Sequence, residues 1–287
     1  MPSGSCPGTV LRRTRLFGTD RSDLRDDWAR AFICYTESTM NPVIFEVGPL
    51  VVRWYGLMMA LTILTTIVAA TRWGPRLGVD RGLIDRMTFG LAVILFAGAR
   101  LGYVASHPGE FRDPLEILRI WHGGLTSHGA IAAGLLYGYL VSRRAGVPLW
   151  SLADTFAWAI PLGNVFVRFG NFMNGELYGD RTTLPWGVLF PTAPDAPRHP
   201  LQLYEMVFAA VILAVAWRIA RRRAFPGQVW WVIVVLTSSG RIFLDTLRSE
   251  EHVLGGAIAY GQIPAGMLLM IGVWFLWSRS RTAVAAR

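Results

Sequence analysis

The chain has 287 residues, of which 53% are hydrophobic and only 16% charged, and its mean hydropathy is +0.38. Soluble domains carry about 25% charged residues, so the composition excludes an ordinary soluble domain and indicates a membrane protein. The net charge is +9 and all 28 basic residues are arginine, which excludes a P-loop, a Schiff-base cofactor site and a lysine general base. Most arginines lie between apolar segments, which favours membrane orientation over nucleic-acid binding.

The first 39 residues differ from the rest of the chain. Residues 1–39 mix six arginines with five acids and show no helical or strand period, which predicts either a disordered extension or an artefact of the choice of start site. They contain no apolar run long enough for a cleavable signal, so we expect the first spanning helix to direct insertion. Cys6 and Cys34 are the only cysteines, so a membrane domain over residues 40–287, beginning at Met40, has no disulfide and no thiol nucleophile.

Seven apolar segments follow Met40. Each approaches the roughly 20 residues that a helix needs to span a bilayer. They predict an all-α polytopic membrane protein with seven transmembrane helices and no internal repeat. The predicted spans cover about 51–71, 84–105, 124–142, 149–170, 201–219, 227–247 and 256–278.

Arginine placement orients the predicted helices. The connections after the first, third and fifth helices, and the tail after the seventh, are rich in arginine, whereas the alternate connections are poorer. These arginines are Arg72, Arg76, Arg81, Arg86, Arg143, Arg144, Arg218, Arg221, Arg222, Arg223, Arg279, Arg281 and Arg287. By the positive-inside rule they face the cytoplasm, which predicts an external N-terminus and a cytoplasmic C-terminus. The loop 171–200, rich in Pro and Gly, predicts a small external head between the fourth and fifth helices.

Polar residues inside the predicted spans gather at the outer ends of six helices, most densely in the segment RFGNFMNGELYG at 168–179. Such residues are costly in lipid and indicate a functional site by default. We predict that no comparable group lies in the inner half. The outer set comprises Tyr55, Arg100, Ser127, His128, Asn164, Arg168, Asn171, Gln202, Tyr204, Glu205, Arg241, Asp245 and Arg248.

The arginines of this set predict an anionic guest. Four of them, at positions 100, 168, 241 and 248, face fewer acids, chiefly Glu176, Glu205 and Asp245. Guanidinium suits bidentate contact with phosphate oxygens, and phospholipid headgroups are the phosphates available at that depth. A purely structural interpretation stays open, because Arg241 and Asp245 are spaced to pair on one helix face.

His128 lies in GGLTSHGA, where small neighbours would let a large substrate approach the imidazole. Histidine moves protons near neutral pH, so it is a candidate base, with helix packing as the alternative interpretation. Ser127 cannot act with it as a nucleophile–base pair, because adjacent helix residues point about 100° apart, and this disfavours a serine protease. The sequence has no HExxH motif or Cys/His cluster, so we predict no metal and no cofactor.

Six segments carry a recognisable pattern in their order and spacing: RWYGLMMAL (53–61), GARLGYV (98–104), GGLTSHGA (123–130), RFGNFMNGELYG (168–179), RHPLQLYE (198–205) and GRIFLDTLR (240–248). Together they resemble the prolipoprotein diacylglyceryl transferase family of bacteria, from about Met40 to the seventh helix. The resemblance implies a seven-helix catalytic domain in the inner membrane. It implies transfer of diacylglycerol from phosphatidylglycerol to the lipobox cysteine of a preprolipoprotein, with release of glycerol phosphate.

The resemblance also implies site residues. The family's histidine motif falls on His128 and its essential arginines on Arg168 and Arg241, which are the predicted catalytic residues. The chain departs from the family pattern at Val167, Ala130 and Asp245, each a small steric change. The predicted substrate-binding residues, from the resemblance and the polar set together, are Tyr55, Arg100, Asn171, Asn174, Glu176, Gly179, Asp245 and Arg248.

The implied reaction is substitution by sulfur at a glycerol carbon as a phosphate monoester leaves. In one hypothesis His128 accepts the thiol proton while Arg168 and Arg241 hold the phosphate, oriented by Asn171 and Glu176. In the other, the arginines lower the pKa of the thiol and His128 only positions the substrate. A membrane lipid transporter or flippase is the alternative function, and it would place polar residues across the whole membrane depth.

Overall fold

A computed structural model describes residues 40–48, 50–111, 113–117, 119, 123–248, 252–253, 258–259 and 261–285. The predicted extension, residues 1–39, lies outside them. The described chain is mainly helical, with three antiparallel hairpins. The helices are α1 (Trp54–Trp73), α2 (Arg81–Ser106), α3 (Ser127–Ala145), α4 (Leu149–Phe156), α5 (Ala159–Asn174), α6 (Leu201–Ala220), α7 (Gln228–Leu244) and α8 (Gln262–Ala285). The hairpins pair β1 (Val43–Val47) with β2 (Leu50–Arg53), β3 (Val188–Phe190) with β4 (Ala193–Arg198), and β5 (His252–Val253) with β6 (Ile258–Ala259).

Five helical segments are long and apolar enough to cross a membrane. They are Trp54–Leu77, Arg81–Ser106, Leu201–Ala220, Gln228–Leu247 and Gln262–Thr282. Their lengths of 20 to 26 residues match the thickness of a bilayer core. The prediction of a polytopic, helical membrane protein is therefore confirmed.

The predicted third and fourth spans take other forms. The third corresponds to α3, which has 19 residues. The fourth is divided into α4 and α5, and the break falls at Ala157 and Trp158. Pro161 lies in the first turn of α5, where a missing backbone N–H costs little, so the proline favours a new helix start there. These segments are not among the five candidate spans.

The end of α5 is fixed by Gly175. This glycine adopts φ +67°, and its N–H donates to the carbonyls of Asn171 and Phe172. A left-handed residue directly after a helix is the usual place for glycine, because other side chains are strained there. The chain therefore turns sharply after Asn174 and carries Glu176 back toward the last turn of α5.

Helices α2 and α3 touch through their backbones. A Cβ at Gly98 would collide with Ala133 and with the carbonyl of Gly129, and a Cβ at Gly102 would lie 2.7 Å from the Cα of Gly129. Only glycine fits at such a distance. The small residues around His128 thus serve helix contact, whereas the sequence suggested that they make room for a substrate.

The apolar core lies where the ends of α1, α6 and the α4–α5 break meet the start of α7. Trp73 and Trp158 stack there with their ring centroids 5.5 Å apart. Both are buried, and Ile233 of α7 is fully buried beside them. This packing holds together the helix ends that carry the arginine-rich connections.

The same end of the bundle contains a buried carboxylate, Asp154 of α4. Its Oδ2 accepts hydrogen bonds from the N–H of Gly227 at 2.8 Å and from Arg223 Nη1 at 3.0 Å, and its Oδ1 accepts one from the N–H of Trp230 at 2.8 Å. Arg223 Nη2 also donates to the carbonyl of Leu77 at 3.0 Å. A carboxylate at the start of α7 satisfies helix N–H groups that would otherwise be unpaired. The arginine-rich connections make this the predicted inner half of the bundle. The prediction that the inner half contains no polar group comparable to those of the outer set is therefore wrong.

Candidate functional site

The opposite end of the bundle brings together three arginines from two helix ends and the turn after α7. Arg168 of α5 forms an ion pair through Nε with Oε2 of Glu205 on α6. This is an ion contact without hydrogen-bond geometry, since that oxygen accepts no hydrogen bond. Arg248 donates from Nη2 to Oε1 of Glu205 at 3.0 Å. Glu205 is therefore shared by two arginines that are 80 residues apart in the sequence.

Arg241 and Asp245 complete this group. Arg241 Nε donates to Asp245 Oδ2 at 3.2 Å, with the Asp245 side chain 2% exposed and that of Arg241 48% exposed. Gly261 lies against the pair, because a Cβ there would be 2.6 Å from Arg241 Nη2. The pairing that the helix spacing suggested is confirmed. It engages only one nitrogen of Arg241 among the described residues, so its terminal groups stay available.

We call Arg168, Glu205, Arg241, Asp245 and Arg248 the charged cluster. Arg168 interacts electrostatically with all four of the others. The cluster contains three guanidinium groups and two carboxylates, those of Glu205 and Asp245. The fourth arginine of the predicted set, at position 100, lies elsewhere.

A hydrogen-bonded turn joins the charged cluster to the end of α5. Asn171 and Asn174 both donate to Oε1 of Glu176, at 2.8 and 3.1 Å. Arg168 Nη1 lies 3.5 Å from Asn171 Oδ1, a weak contact. Gln202, which is fully buried, donates to the backbone carbonyl of Glu176 at 2.6 Å. This turn brings three predicted site residues, Asn171, Asn174 and Glu176, next to Arg168.

Arg100 is turned toward the loop before α3. Its Nε donates to the carbonyl of Ile117 at 3.0 Å and its Nη1 to that of Gly124 at 3.0 Å. The other carbonyls it contacts are those of Glu116, Arg119 and Gly123. Guanidinium has five N–H donors, so these contacts favour a role in holding the loop that leads to His128. Substrate binding by Arg100 stays a prediction.

His128 is exposed at the start of α3. In the part of the chain that the structure describes, its imidazole makes no hydrogen bond. Arg100 holds the loop before it, and Gly129 fixes the helix after it against α2. An exposed imidazole on a fixed backbone is free to meet a substrate. Its predicted catalytic role is not tested by these contacts.

Tyr55 and Gly179 lie at close backbone contacts. A Cβ at Gly170 of α5 would be 3.1 Å from the Cα of Tyr55, so α1 and α5 approach closely beside Arg168. Gly179 donates its N–H to the carbonyl of His199 at 2.9 Å, and a Cβ there would be 2.6 Å from the carbonyl of Leu247. Packing alone therefore requires glycine at position 179, whatever its predicted contact with substrate.

Two central residues, Gln202 and Glu205, are missing from the predicted site set. Both belong to the polar set of the sequence, and an acid within an apolar helix is the signal that could have selected Glu205. The sequence does not show which arginine Glu205 pairs with, because its partners lie on other elements.

A groove of about 500 Å³ opens between α6 and α7. Its walls are almost wholly apolar, with Ser239 as an exception. Along each helix it adjoins the charged cluster, because Tyr204 precedes Glu205 and Leu244 precedes Asp245. The lining residues are Tyr204, Val207, Phe208, Val211, Ser239, Gly240, Phe243 and Leu244.

Comparison with known proteins gives one family. The sequence model described as prolipoprotein diacylglyceryl transferase matches residues 42–278. A protein of Sinorhizobium medicae is 34% identical over 265 residues, covering 86% of this chain and 94% of the relative. A relative from Geobacter sulfurreducens is 33% identical, with the match covering 82% of this chain and 93% of the relative. A relative from Desulfotalea psychrophila is 32% identical, with the match covering 84% of this chain and 94% of the relative. All three are named phosphatidylglycerol–prolipoprotein diacylglyceryl transferase.

Proposed function

The chain belongs to the prolipoprotein diacylglyceryl transferase family and is a transferase, and from that premise we propose its substrates, its site and its arrangement in the membrane. The donor is phosphatidylglycerol, and the acceptor is the cysteine thiol of the lipobox segment of a preprolipoprotein. The products are a thioether-linked diacylglyceryl group and glycerol phosphate. The alternative of a lipid transporter or flippase is not favoured.

The observation that carries the proposed site is the pairing of Arg168 and Arg241 with the carboxylates of one cluster, of which Asp245 is buried and Glu205 partly buried. Glu205 holds Arg168 and Asp245 holds Arg241, each through Nε. An arginine held at Nε keeps its orientation while terminal nitrogens can contact an anion. Bidentate guanidinium contacts suit phosphate oxygens, so the two arginines hold the phosphate of the lipid.

The reaction forms a sulfur–carbon bond at the glycerol of the lipid and breaks the bond from that carbon to the phosphate oxygen. The electron pair leaves with the phosphate, where Arg168 and Arg241 stabilise the added charge. A free cysteine thiol has a pKa of about 8.5, so its proton must be drawn off near neutral pH. His128 accepts that proton in our proposal, and Asn171 and Glu176 orient Arg168.

The groove between α6 and α7 accepts an acyl chain of the lipid. Its apolar walls begin beside Glu205 and Asp245, so a lipid with its phosphate at the charged cluster has its tails at the groove. The burial of methylene groups favours such an arrangement, at about 0.8 kcal/mol for each group.

The membrane arrangement is that of a single domain over residues 40–287 in the bacterial inner membrane. Seven spans are made by α1, α2, α3, the α4–α5 pair, α6, α7 and α8. The contacts of Arg223 support a common cytoplasmic side for the arginine-rich connections. Arg223 lies in the connection after α6, and it bonds both Asp154 of α4 and the carbonyl of Leu77, just after α1. The N-terminus, the head at 171–200 and the charged cluster are then external, and the C-terminus is cytoplasmic.

The test uses membrane vesicles with phosphatidylglycerol and a lipobox peptide, and it measures thioether formation by mass spectrometry. We expect Arg168→Ala to lower the rate by at least about 100-fold, the effect of removing one donor to a developing anion. Arg143→Ala, at the exposed end of α3, is the matched control and should leave the rate unchanged. Full thioether formation by Arg168→Ala would overturn the phosphate-holding role. Lipid movement without any thioether in the wild type would favour the flippase.

A further inference from the structure

A second group of arginines surrounds a cleft at the other end of the bundle. The cleft has a volume of about 330 Å³ and is lined by Arg72, Trp73, Arg76, Trp217 and Arg221. We call it the arginine–tryptophan cleft. Trp217 follows Glu205 on α6 by 12 residues, so the cleft begins about 18 Å along the helix axis from the charged cluster, at 1.5 Å per residue.

The three arginines of the cleft are not neutralised. Their side chains make no hydrogen bond or ion pair with any residue that the structure describes. Each faces an indole ring instead. The guanidinium carbons of Arg72 and Arg76 lie 6.0 and 5.3 Å from the Trp73 centroid, and that of Arg221 lies 3.8 Å from the Trp217 centroid.

The neighbouring Arg223 shows that pairing is possible at this end of the bundle. It bonds the Asp154 carboxylate and the carbonyl of Leu77. The positive-inside rule accounts for arginines in these connections, but it does not account for three of them converging on one concavity from two helices. Trp73 is 7% exposed and stacked on Trp158, so one wall of the cleft is rigid.

The cleft lies at headgroup depth. Arg72 and Trp73 end α1, and Trp217 and Arg221 lie at the end of α6, both of which are long and apolar enough to span the bilayer. Tryptophan and arginine favour this membrane–water boundary, where the phosphates of lipids are found. A volume of about 330 Å³ suits a small polar group, and pockets for small molecules begin at about 300 Å³.

We propose that the arginine–tryptophan cleft binds the phosphate group of an anionic ligand, on the side of the membrane opposite the charged cluster. Three guanidinium groups hold the phosphate oxygens, and the indole rings pack against the carbon atoms next to them. The ligand is an anionic phospholipid headgroup or a soluble phosphate ester, which offer the same chemistry. This site is independent of the transfer reaction, because it shares no residue with the charged cluster.

Native mass spectrometry of the delipidated protein in detergent tests the proposal. All variants carry Arg168→Ala, which weakens binding at the charged cluster. The cleft variant adds Arg72→Gln, Arg76→Gln and Arg221→Gln. The control adds Arg143→Gln, Arg144→Gln and Arg222→Gln, which remove the same charge from exposed positions in the arginine-rich connections. The ligands are phosphatidylglycerol, phosphatidylcholine and free glycerol phosphate.

We expect the cleft variant to bind phosphatidylglycerol at least about tenfold more weakly than the control variant, since basic residues near a membrane surface each strengthen the binding of anionic lipid. Binding of phosphatidylglycerol but not of glycerol phosphate identifies a lipid ligand, and comparable binding of both identifies a soluble phosphate ester. Equal affinities of the cleft and control variants for phosphatidylglycerol and for glycerol phosphate would overturn the proposal. So would a loss of phosphatidylcholine affinity in the cleft variant as large as its loss of phosphatidylglycerol affinity. If the triple variant does not fold, Arg221→Gln against Arg222→Gln gives the same comparison.

Discussion

Glu205 is the side chain on which the candidate site depends. It meets Arg168 through one oxygen and Arg248 through the other, while being only 14% exposed itself. A partly buried carboxylate between two guanidinium groups offsets the cost of placing their charges in an apolar setting. The sequence identified all three residues as out of place in lipid. It could not pair them, because the contacts cross between elements distant in sequence.

The substitution Glu205→Gln keeps the shape of the side chain and removes its charge. We expect a lower melting temperature in detergent and a loss of thioether formation of about 10- to 100-fold, because Arg168 loses the group that orients it, as when an outer-shell partner is removed. The control is Asp195→Asn, since Asp195 pairs with Arg181 and Arg198 at an exposed position. An unchanged rate in Glu205→Gln would contradict the positioning role of Glu205.

His128 is the other residue whose role decides the chemistry. If His128 is the base, His128→Gln should slow thioether formation at neutral pH by about 100-fold or more. His107→Gln is the matched control, because that histidine is exposed and stacks on Tyr103, with the ring centroids 4.2 Å apart. Retained transfer in His128→Gln would favour the alternative, in which the arginines ionise the thiol and His128 positions the substrate.

Hydropathy located the helices but not their interruptions. The predicted first span, 51–71, and fifth span, 201–219, lie within a few residues of α1 and α6. The break between α4 and α5 was missed, because the window 149–170 is apolar on average and Pro161 by itself is a weak local signal. Asp154 was missed for a related reason. One acid in an apolar window hardly alters its mean hydropathy, although it caps α7 in the structure.

The groove between α6 and α7 gives a prediction about the binding of lipid acyl chains. Val211 lines it and is 54% exposed, so Val211→Trp fills the groove without disturbing the core. We expect KM for long-chain phosphatidylglycerol to rise by about tenfold, the effect of losing a few methylene contacts, with less change for a short-chain lipid. Val93→Trp on α2, at 52% exposure, is the matched control. Equal kinetics for the two variants would show that acyl chains lie elsewhere.

The two ends of the bundle differ in how their arginines are paired. One end has arginines held by the carboxylates Glu205 and Asp245, beside an apolar groove. Within the described residues, the other end has the pair of Asp154 with Arg223, and its arginines around tryptophan make no ion pair. The sequence predicted the first concentration from its motifs and the second only as an orientation signal. Only the structure shows that Arg100 of α2 bonds the loop before α3 and does not join the charged cluster.

A double-mutant cycle tests whether Arg168 and Arg241 hold one phosphate. Thioether formation is measured as kcat/KM for wild type, Arg168→Ala, Arg241→Ala and the double variant. Each single substitution should lower kcat/KM by on the order of 100-fold. The double variant should lower it by far less than the product of the two single effects, since either substitution already breaks the shared contact. Losses that multiply would mean that the two arginines act independently, which would contradict the shared phosphate.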